Sequence, residues 1–173
     1  MKSKEKKKAA VITLSDKGSR GERVDTAGPA CIKILEDSGW DVVYSNVISD
    51  DFQGITEEMK RCADSLGVTL VVTTGGTGFS QRDVAPEATL SVCDREVRGI
   101  PEAMRAESLK ITPMGMLSRA AAGLRGATLI INVPGSEKAA RECLSAVIGP
   151  IGHGVEVLMG TSKDCAEIHM ERK

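Results

Sequence analysis

Residues 68–78 have the sequence V-T-L-V-V-T-T-G-G-T-G, a run rich in β-branched residues that ends in a glycine-rich turn. A strand that is apolar almost throughout is typical of the centre of a parallel sheet, where both faces are covered. Glycines directly after such a strand let the backbone turn sharply and bring amide N–H groups close to a bound anion. The stretch therefore predicts a buried central strand, Val68–Thr74, with a ligand-facing loop at its carboxyl end.

Strand-like and helix-like segments alternate on both sides of this stretch. Residues 9–14, 40–48 and 128–133 are further predicted strands. Helices are predicted over 26–38, 55–66, from Pro86 onward, over 101–123 with an interruption at Thr112-Pro113, and over 137–160 with a glycine-rich break at 149–154. This alternation predicts an α/β three-layer sandwich with a mostly parallel, mixed sheet.

The charge and aromatic content exclude several functional classes. The chain has 173 residues and a net charge of −1, and residues 1–8 contain five lysines and one glutamate. We expect residues 1–8 to form a disordered basic tail and residues 9–173 to form a single domain. Only 2% of the residues are aromatic, which is too few for a base-stacking platform, so no nucleic-acid partner is predicted.

The cysteine pattern and hydropathy favour a cytoplasmic protein without a membrane partner. The five cysteines include no C-x-x-C pair, so neither a zinc site nor a disulfide framework is predicted. No apolar run approaches the ~18 residues that indicate a membrane span. The short run at residues 9–14 is followed at once by Ser15 and Asp16, which does not fit a signal peptide.

Four loops follow the predicted strands and are expected at one edge of the sheet, where ligands of such folds bind. They are residues 15–25, 49–53, 75–86 and 134–137. The glycine loop is neither a Walker A loop nor a G-x-G-x-x-G fingerprint. Ser136 either caps the next helix or contributes, with that helix N-terminus, to an anion site.

Two carboxylates, Asp50 and Asp83, lie at the ends of two different predicted strands. Each is either an ordinary turn or cap residue, or one of a pair that holds Mg²⁺ through oxygen ligands beside bound phosphates. There is no G-x-S-x-G elbow, and neither histidine lies at a predicted strand end. Phosphoryl or nucleotidyl transfer fits these residues better than hydrolase chemistry, since it depends on positioning and charge neutralisation.

Seven segments, taken in order, resemble one known family. The longest is T-T-G-G-T-G-F-S-Q-R-D-V-A-P-E-A-T (73–89). The others are S-D-K-G-S (15–19), D-T-A-G-P (25–29), I-S-D-D (48–51), M-R-A-E-S (104–108), T-P-M-G-M-L-S-R (112–119) and N-V-P-G-S (132–136). Together they resemble the molybdopterin-binding domain of the molybdopterin adenylyltransferases, of the MogA/MoaB type and related to the first domain of gephyrin.

The resemblance implies an activity, an assembly and partners. Members use Mg-ATP to adenylylate the terminal phosphate of molybdopterin, release pyrophosphate, and hand adenylylated molybdopterin to a separate molybdenum-inserting protein. They assemble as homotrimers or as hexamers made of two trimers. The alternative within the same pathway is a non-catalytic carrier or assembly protein that binds molybdopterin without turnover.

The resemblance also assigns residues by motif. Asp50 and Asp83 would be the catalytic and Mg²⁺-holding carboxylates. Substrate-binding residues would be Ser15, Asp16, Gly75, Gly76, Thr77, Gly78, Ser108, Ser118, Pro134, Gly135 and Ser136. Arg82 and Arg119 are either phosphate partners or ordinary solvated arginines.

This sequence departs from the family pattern in three places. Ala85 stands where many relatives carry Thr. Asp51 beside Asp50 leaves the register of the first carboxylate open by one residue. The length is closer to that of the compact MoaB type, for which catalytic competence is least safely assumed.

Overall fold

The structure is a computed structural model that describes residues 7–161. Residues 1–6 and 162–173 lie outside the described part, and the second range includes Cys165 and His169. The strands are β1 (Lys8–Leu14), β2 (Asp41–Ile48), β3 (Leu70–Thr74), β4 (Arg95–Glu96), β5 (Ala122–Arg125) and β6 (Thr128–Val133). The α-helices are α1 (Asp16–Ser19), α2 (Ala27–Asp37), α3 (Phe52–Lys60), α4 (Ala85–Val92), α5 (Gly99–Leu109) and α6 (Glu137–Leu158). A π-helical turn (Arg61–Ser65) extends α3, and a 3-10 helix (Pro113–Leu117) follows α5.

The sheet confirms the predicted α/β class and mixed topology. Its six strands lie in the order β2-β1-β3-β6-β5-β4. Strands β2, β1, β3 and β6 are parallel, whereas β5 and β4 run antiparallel to their neighbours. Thr13 is paired with Thr74, and Thr74 with Val133, so the central strands end in register. The loops that follow β1, β2, β3 and β6 consequently meet at one edge.

Alternate residues of the central strands fill two separate cores, one on each face of the sheet. Ala9, Val11, Val72 and Ile131 pack with helices α2, α5 and α6. Ala10, Ile12, Val71 and Ile130 pack with α3 and α4 on the other face. This alternation follows from the two-residue period of a strand and explains why the strands are apolar throughout. The result is the predicted three-layer sandwich.

The prediction of helix over residues 101–123 is wrong in its second half. Helix α5 ends at Leu109, the predicted interruption at Thr112-Pro113 starts the 3-10 helix, and residues 122–125 form strand β5. The β5 sequence, A-G-L-R, contains no β-branched residue, and space is short at Gly123. A Cβ at Gly123 would lie 2.7 Å from Cβ of Cys93. The two-residue turn Gly126-Ala127 connects β5 to β6, and pairing with β6 outweighs the weak intrinsic strand preference of the β5 sequence.

The predicted glycine-rich break at residues 149–154 is also wrong, because α6 continues through Pro150 to Leu158. Proline in a helix interior removes one backbone hydrogen bond. Val147, Ile151 and Val155 on either side of it are buried in the same core, and this packing keeps the helix continuous.

The amino-terminal boundary lies earlier than the predicted tail allows. Lys8 is the first residue of β1. Lys7 donates from Nζ to Oε1 of Glu156 at 3.1 Å and lies 5.4 Å from the ring centroid of Trp40. Both lysines are therefore part of the fold, while the tail prediction for residues 1–6 lies outside the described part. That residues 9–173 form a single domain stays a prediction.

Two further observations bear on the class of protein. Cys31, Cys62, Cys93 and Cys143 are free thiols. Within residues 7–161, the structure contains no helix that combines the length and the apolar character needed to span a membrane.

Candidate active site

A cavity of about 410 Å³ opens at the carboxyl ends of the parallel strands. It is lined by residues of the four loops that the sequence singles out and by the start of α2. The lining residues are Thr13, Leu14, Ser15, Gly18, Arg23, Val24, Asp25, Thr26, Ala27, Asp50, Thr74, Gly75, Gly76, Asp83, Gly135 and Ser136. The structure thus brings together seven of the predicted site residues: Ser15, Asp50, Gly75, Gly76, Asp83, Gly135 and Ser136.

The glycine turn after β3 forms the floor of this cavity. Gly75 and Gly76 have φ values of +102° and +65°, a region that favours glycine. A Cβ at Gly75 would lie 2.5 Å from the carbonyl oxygen of Leu14, and one at Gly135 would lie 3.1 Å from Cα of Gly75. The loops after β1, β3 and β6 are therefore packed backbone against backbone, which leaves room for a ligand above them.

Asp50 is joined to Asp16 by two reciprocal hydrogen bonds. The Asp16 amide donates to Oδ2 of Asp50 at 2.9 Å, and the Asp50 amide donates to Oδ1 of Asp16 at 3.0 Å. Burial raises the pKa of Asp50, and the negative charges of Asp16 and Asp83 add to this effect. Asp50 is thus a partly buried carboxylate close enough to two others to feel their charge.

Asp83 is held by the loop that carries it. Its Oδ2 accepts a hydrogen bond from the Ser80 amide at 2.8 Å. A Cβ at Gly78 would lie 2.9 Å from the same oxygen, so a side chain at this position would displace the carboxylate. Each of the two carboxylates is therefore fixed through Oδ2, and the structure shows no hydrogen bond to Oδ1 of either within residues 7–161.

The oxygen ligands on this rim fit Mg²⁺ bound together with phosphates. Asp50 and Asp83 both line the cavity, and each can offer one carboxylate oxygen. Among residues 7–161, no group of three or more His, Cys, Asp or Glu side chains forms a metal cage. Mg²⁺ is commonly held by one or two carboxylates plus substrate phosphates and water, which matches two carboxylates and no cage.

The two adjacent aspartates lie in different surroundings. Asp51 is exposed and caps α3, since its Oδ2 accepts from the Gly54 amide at 2.8 Å. Asp50 lines the cavity and Asp51 does not. At the other departure from the family pattern, Ala85 is fully buried and donates from its amide to the Gly76 carbonyl at 3.1 Å.

Two helix N-termini meet at the cavity. Ser136 caps α6, because its hydroxyl accepts from the Ala139 amide at 3.3 Å, and Ser136 also lines the cavity. Ser15 caps α1 in the same way, accepting from the Gly18 amide at 3.0 Å. Capping and cavity lining are therefore compatible for both serines. The N-terminus of the 22-residue α6 carries the positive end of the helix dipole, and this favours binding of an anion beside Ser136.

Sequence reasoning missed the wall formed by the segment before α2. Asp25 accepts from the Thr13 hydroxyl at 2.7 Å and from the Gly28 amide at 3.0 Å, and both Asp25 and Thr13 line the cavity. A Cβ at Gly28 would lie 2.3 Å from Oδ2 of Asp25. The D-T-A-G-P motif contains Asp25 and Gly28, so it was the available signal.

The remaining predicted substrate-binding residues do not line this cavity. Ser108 lies on α5 with its hydroxyl 3.4 Å from Sγ of Cys143. Ser118 lies beside a second cavity of about 470 Å³ between α4 and α5. Thr77, Gly78 and Pro134 offer backbone carbonyls to other protein groups. Asp16 faces Arg82 and supports Asp50.

Arg82 and Arg119, which the sequence leaves as either phosphate partners or ordinary solvated arginines, both bind other groups of the protein. Arg82 binds Asp16 through two hydrogen bonds of 2.8 and 3.0 Å, and this contact lowers the pKa of Asp16 to about 2. Arg119 donates to the carbonyls of Gly78 and Asp83 and to the carboxylate of Glu87. Neither arginine lines the 410 Å³ cavity; Arg23 does.

The thiols are poor nucleophiles. Burial raises the pKa of Cys31 to about 12 and the pKa values of Cys62 and Cys93 to about 11. A thiolate is the reactive form of cysteine, so covalent cysteine chemistry has no support at these positions.

Comparison with known proteins finds one family. Residues 10–153 match the family model described as a probable molybdopterin binding domain. A molybdopterin adenylyltransferase of Helicobacter pylori is 40% identical over 152 residues, covering 87% of this chain and 86% of that protein. Gephyrin of Dictyostelium discoideum is 37% identical over 163 residues, which are 88% of this chain and 23% of gephyrin. The crystal structure of the molybdopterin biosynthesis enzyme MoaB from Thermus thermophilus superposes with a TM-score of 0.84 at 43% identity, covering 88% of this chain and 96% of that one.

Proposed function

Because this chain belongs to the molybdopterin-binding domain family of molybdenum cofactor biosynthesis, we propose that it is a molybdopterin adenylyltransferase. In the proposed reaction, an oxygen of the terminal phosphate of molybdopterin attacks the α-phosphorus of ATP. The bond from the α-phosphorus to the oxygen that bridges to the β-phosphorus breaks, and pyrophosphate leaves with that electron pair. The products are adenylylated molybdopterin, which contains a new phosphoanhydride, and pyrophosphate.

One observation carries the proposal: Asp50 and Asp83, from two different loops, line the same strand-end cavity beside a glycine turn. The attacking phosphate is already anionic, so the reaction needs no strong base. It needs two phosphate groups to be brought together against their mutual repulsion. Mg²⁺ bound with the nucleotide would supply positive charge for this, and Asp50 and Asp83 are the residues that would hold it.

The chain's own residues supply the rest of the anion site. Backbone amides of the glycine turn and of the loop after β6 can donate to phosphate oxygens. The N-terminus of α6 adds a favourable electrostatic field beside Ser136. Asp16 and Arg82 hold Asp50 and the Asp83 loop in their relative positions, since Arg82 is adjacent to Asp83 and its guanidinium binds Asp16.

The deciding experiment follows product formation from molybdopterin, Mg²⁺ and ATP. Wild type is compared with Asp50→Asn and Asp83→Asn, and with Asp51→Asn as the matched control. Asn caps a helix about as well as Asp, so the control keeps α3 intact. We expect Asp50→Asn and Asp83→Asn to lower kcat by at least about 100-fold while molybdopterin binding persists, and Asp51→Asn to behave as wild type.

Two outcomes would contradict the proposal. Wild-type turnover in Asp83→Asn would remove the metal-positioning role of that carboxylate. Tight molybdopterin binding by the wild type without ATP-dependent product would instead identify the protein as a carrier of the same pathway.

Assembly and hand-over complete the proposal. We propose that the protein forms a homotrimer, alone or paired into a hexamer, and that it passes adenylylated molybdopterin to a separate molybdenum-inserting protein. Family resemblance supports both points. A surface rich in exposed apolar side chains at residues 109–117 is consistent with association.

A further inference from the structure

Arg119 is hydrogen-bonded to three backbone carbonyls of the segment 77–83. Its backbone amide donates to the Thr77 carbonyl at 2.9 Å. In its side chain, Nε donates to the Gly78 carbonyl at 2.7 Å and Nη2 donates to the Asp83 carbonyl. Nη1 binds the carboxylate of Glu87, on the first turn of α4. One residue thus grips both ends of the segment 77–83 and the helix that follows it.

The segment 77–83 depends on such external support. The internal hydrogen bonds that the structure shows are confined to residues 80–83. The Asp83 amide donates to the Ser80 carbonyl at 2.9 Å, the Ser80 amide donates to Oδ2 of Asp83 at 2.8 Å, and the Arg82 amide donates to the Ser80 hydroxyl at 3.3 Å. Phe79 is 71% exposed and contributes no core packing. The other outside tie is the exposed pair between Arg82 and Asp16, in which the arginine side chain is 57% exposed. The Arg119 side chain is 34% exposed, so its contacts are the better shielded of the two.

We propose that Arg119 is the positioning residue for Asp83, an inference that rests on the proposed adenylyltransferase function. Arg119 does not line the 410 Å³ cavity, so it acts on the reaction through the carboxylate and not on the substrates. By fixing the carbonyls of Gly78 and Asp83, its guanidinium holds the backbone that carries the Asp83 side chain, while the exposed pair between Arg82 and Asp16 links this loop to Asp50.

The chemistry of the side chain makes this role specific to arginine. A planar guanidinium presents its N–H donors in a fixed fork, whereas lysine is a flexible point charge. Here three different nitrogens of one plane reach three acceptors on the loop and on α4. Arg119→Lys keeps the charge but cannot satisfy all three acceptors, so it should not restore the position of Asp83.

The test compares Arg119→Gln, Arg119→Lys, Asp83→Asn and the double variant Arg119→Gln/Asp83→Asn with the wild type. Arg98→Gln is the matched control, because Arg98 lines the same 470 Å³ cavity as Arg119 but its guanidinium donates to the exposed Glu96 and not to the segment 77–83. We expect Arg119→Gln and Arg119→Lys to lower kcat about 100-fold, as a small misplacement of a catalytic group does, with little change in KM for molybdopterin. The double variant should be no slower than Asp83→Asn alone.

A binding measurement accompanies the kinetics. In the wild type, ATP affinity measured by calorimetry should be tighter with Mg²⁺ than without it. In both Arg119 variants this gain should be lost while Mg²⁺-free ATP binding persists. The same samples are checked for folding by circular dichroism, and activity is measured well below the unfolding midpoint of each.

Failure of this inference is distinguishable from failure of the proposed function. An active wild type together with an Arg119→Lys variant of wild-type kcat, or a double variant whose losses multiply, would overturn the positioning role alone. An inactive wild type would overturn the proposed function. In that case, ATP binding alone tests the positioning role of Arg119. If Arg119→Gln still binds ATP more tightly with Mg²⁺ than without it, that role is overturned.

Discussion

The carboxylate of Asp16 forms an ion pair with the guanidinium of Arg82. The guanidinium of Arg82 holds the pKa of Asp16 at about 2, below its ordinary value of 3.8. A group with a lowered folded-state pKa stabilises the fold above its unfolded pKa, and this contribution is lost as the pH falls toward the folded value. The ion pair therefore links two site loops with a strength that depends on acidity.

The pH dependence of this pair is testable with Arg82→Gln. We expect the variant to lower the free energy of unfolding only slightly at pH 7, because Arg82 is largely exposed and solvent screens the pair. The difference from wild type should shrink as the pH falls from about 5 toward 2, where Asp16 becomes protonated in both proteins. Urea unfolding at a series of pH values measures it, and a difference that stays constant down to pH 2 would contradict the assignment.

At the residue scale, the shared location of Asp50 and Asp83 could be predicted, and the contacts that support them could not. Asp50 lies in the loop after β2 and Asp83 in the loop after β3, and the parallel direction of these strands places both loops at one edge of the sheet. Arg119 and Asp25 reach their partners across 36 and 12 residues of the chain. Such contacts depend on how the loops fold back, which no local pattern encodes.

At the scale of elements, the side chain of Asn132 connects strand β6 to β3 and α4 through hydrogen bonds. From β6, its Nδ2 donates to the hydroxyls of Thr73 on β3, at 2.9 Å, and Thr89 on α4, at 2.7 Å. Its Oδ1 accepts from the amide of Ala121, next to β5, at 3.1 Å. Asn132, Thr73 and Thr89 are fully buried. Each polar group in this network depends on the others for its partner.

Asn132→Ala should therefore be strongly destabilising. Removal of the amide leaves the buried amide of Ala121 without its acceptor, and we expect a loss of about 3 kcal/mol in the free energy of unfolding. Asn46→Ala, on the exposed face of β2, is the control and should cost less than about 0.5 kcal/mol. Thermal or urea unfolding gives both values. Equal losses would show that the buried network adds nothing to stability.

The elements that sequence patterns failed to predict share a cause. In β5, the close approach to Cys93 requires Gly123, and the sequence A-G-L-R has no β-branched residue that would indicate a strand. In α6, Pro150 and its neighbouring glycines indicate a break, but the core residues Val147 and Ile151 continue the helix across it. Tertiary packing decided both cases, whereas β3 and β6, with strong β-branched patterns, were predicted correctly.

At the scale of the whole molecule, several exposed apolar side chains lie close together in sequence at the end of α5 and on the 3-10 helix. Leu109, Ile111, Met114, Met116 and Leu117 are each between 41% and 63% exposed. Large exposed apolar patches on a protein often mark a surface that binds another molecule. If copies of the chain associate as proposed, this surface is where apolar burial would contribute most.

Light scattering tests the assembly. We expect the wild type to have the mass of a trimer or a hexamer, and Met116→Glu to shift it toward the monomer, because a charge would be buried without a partner. Val157→Glu is the control, since Val157 is 47% exposed on α6, outside the patch, and should leave the mass unchanged. A monomeric wild type would contradict the assembly, and an unaffected Met116→Glu would place the contact elsewhere.

The order of the central strands also determines how the chain must fold. β1, β3 and β6 are neighbours in the sheet, yet the contact between Val68 and Thr128 spans 60 residues. Contacts of such long range close large loops before they gain any stabilisation, which makes folding slow relative to a helical bundle of equal length. The Asp50 and Asp83 loops can meet only after β1 has paired with both β2 and β3. We therefore expect refolding to restore ligand binding no earlier than the slowest step of sheet formation, with binding competence absent from any partly assembled state.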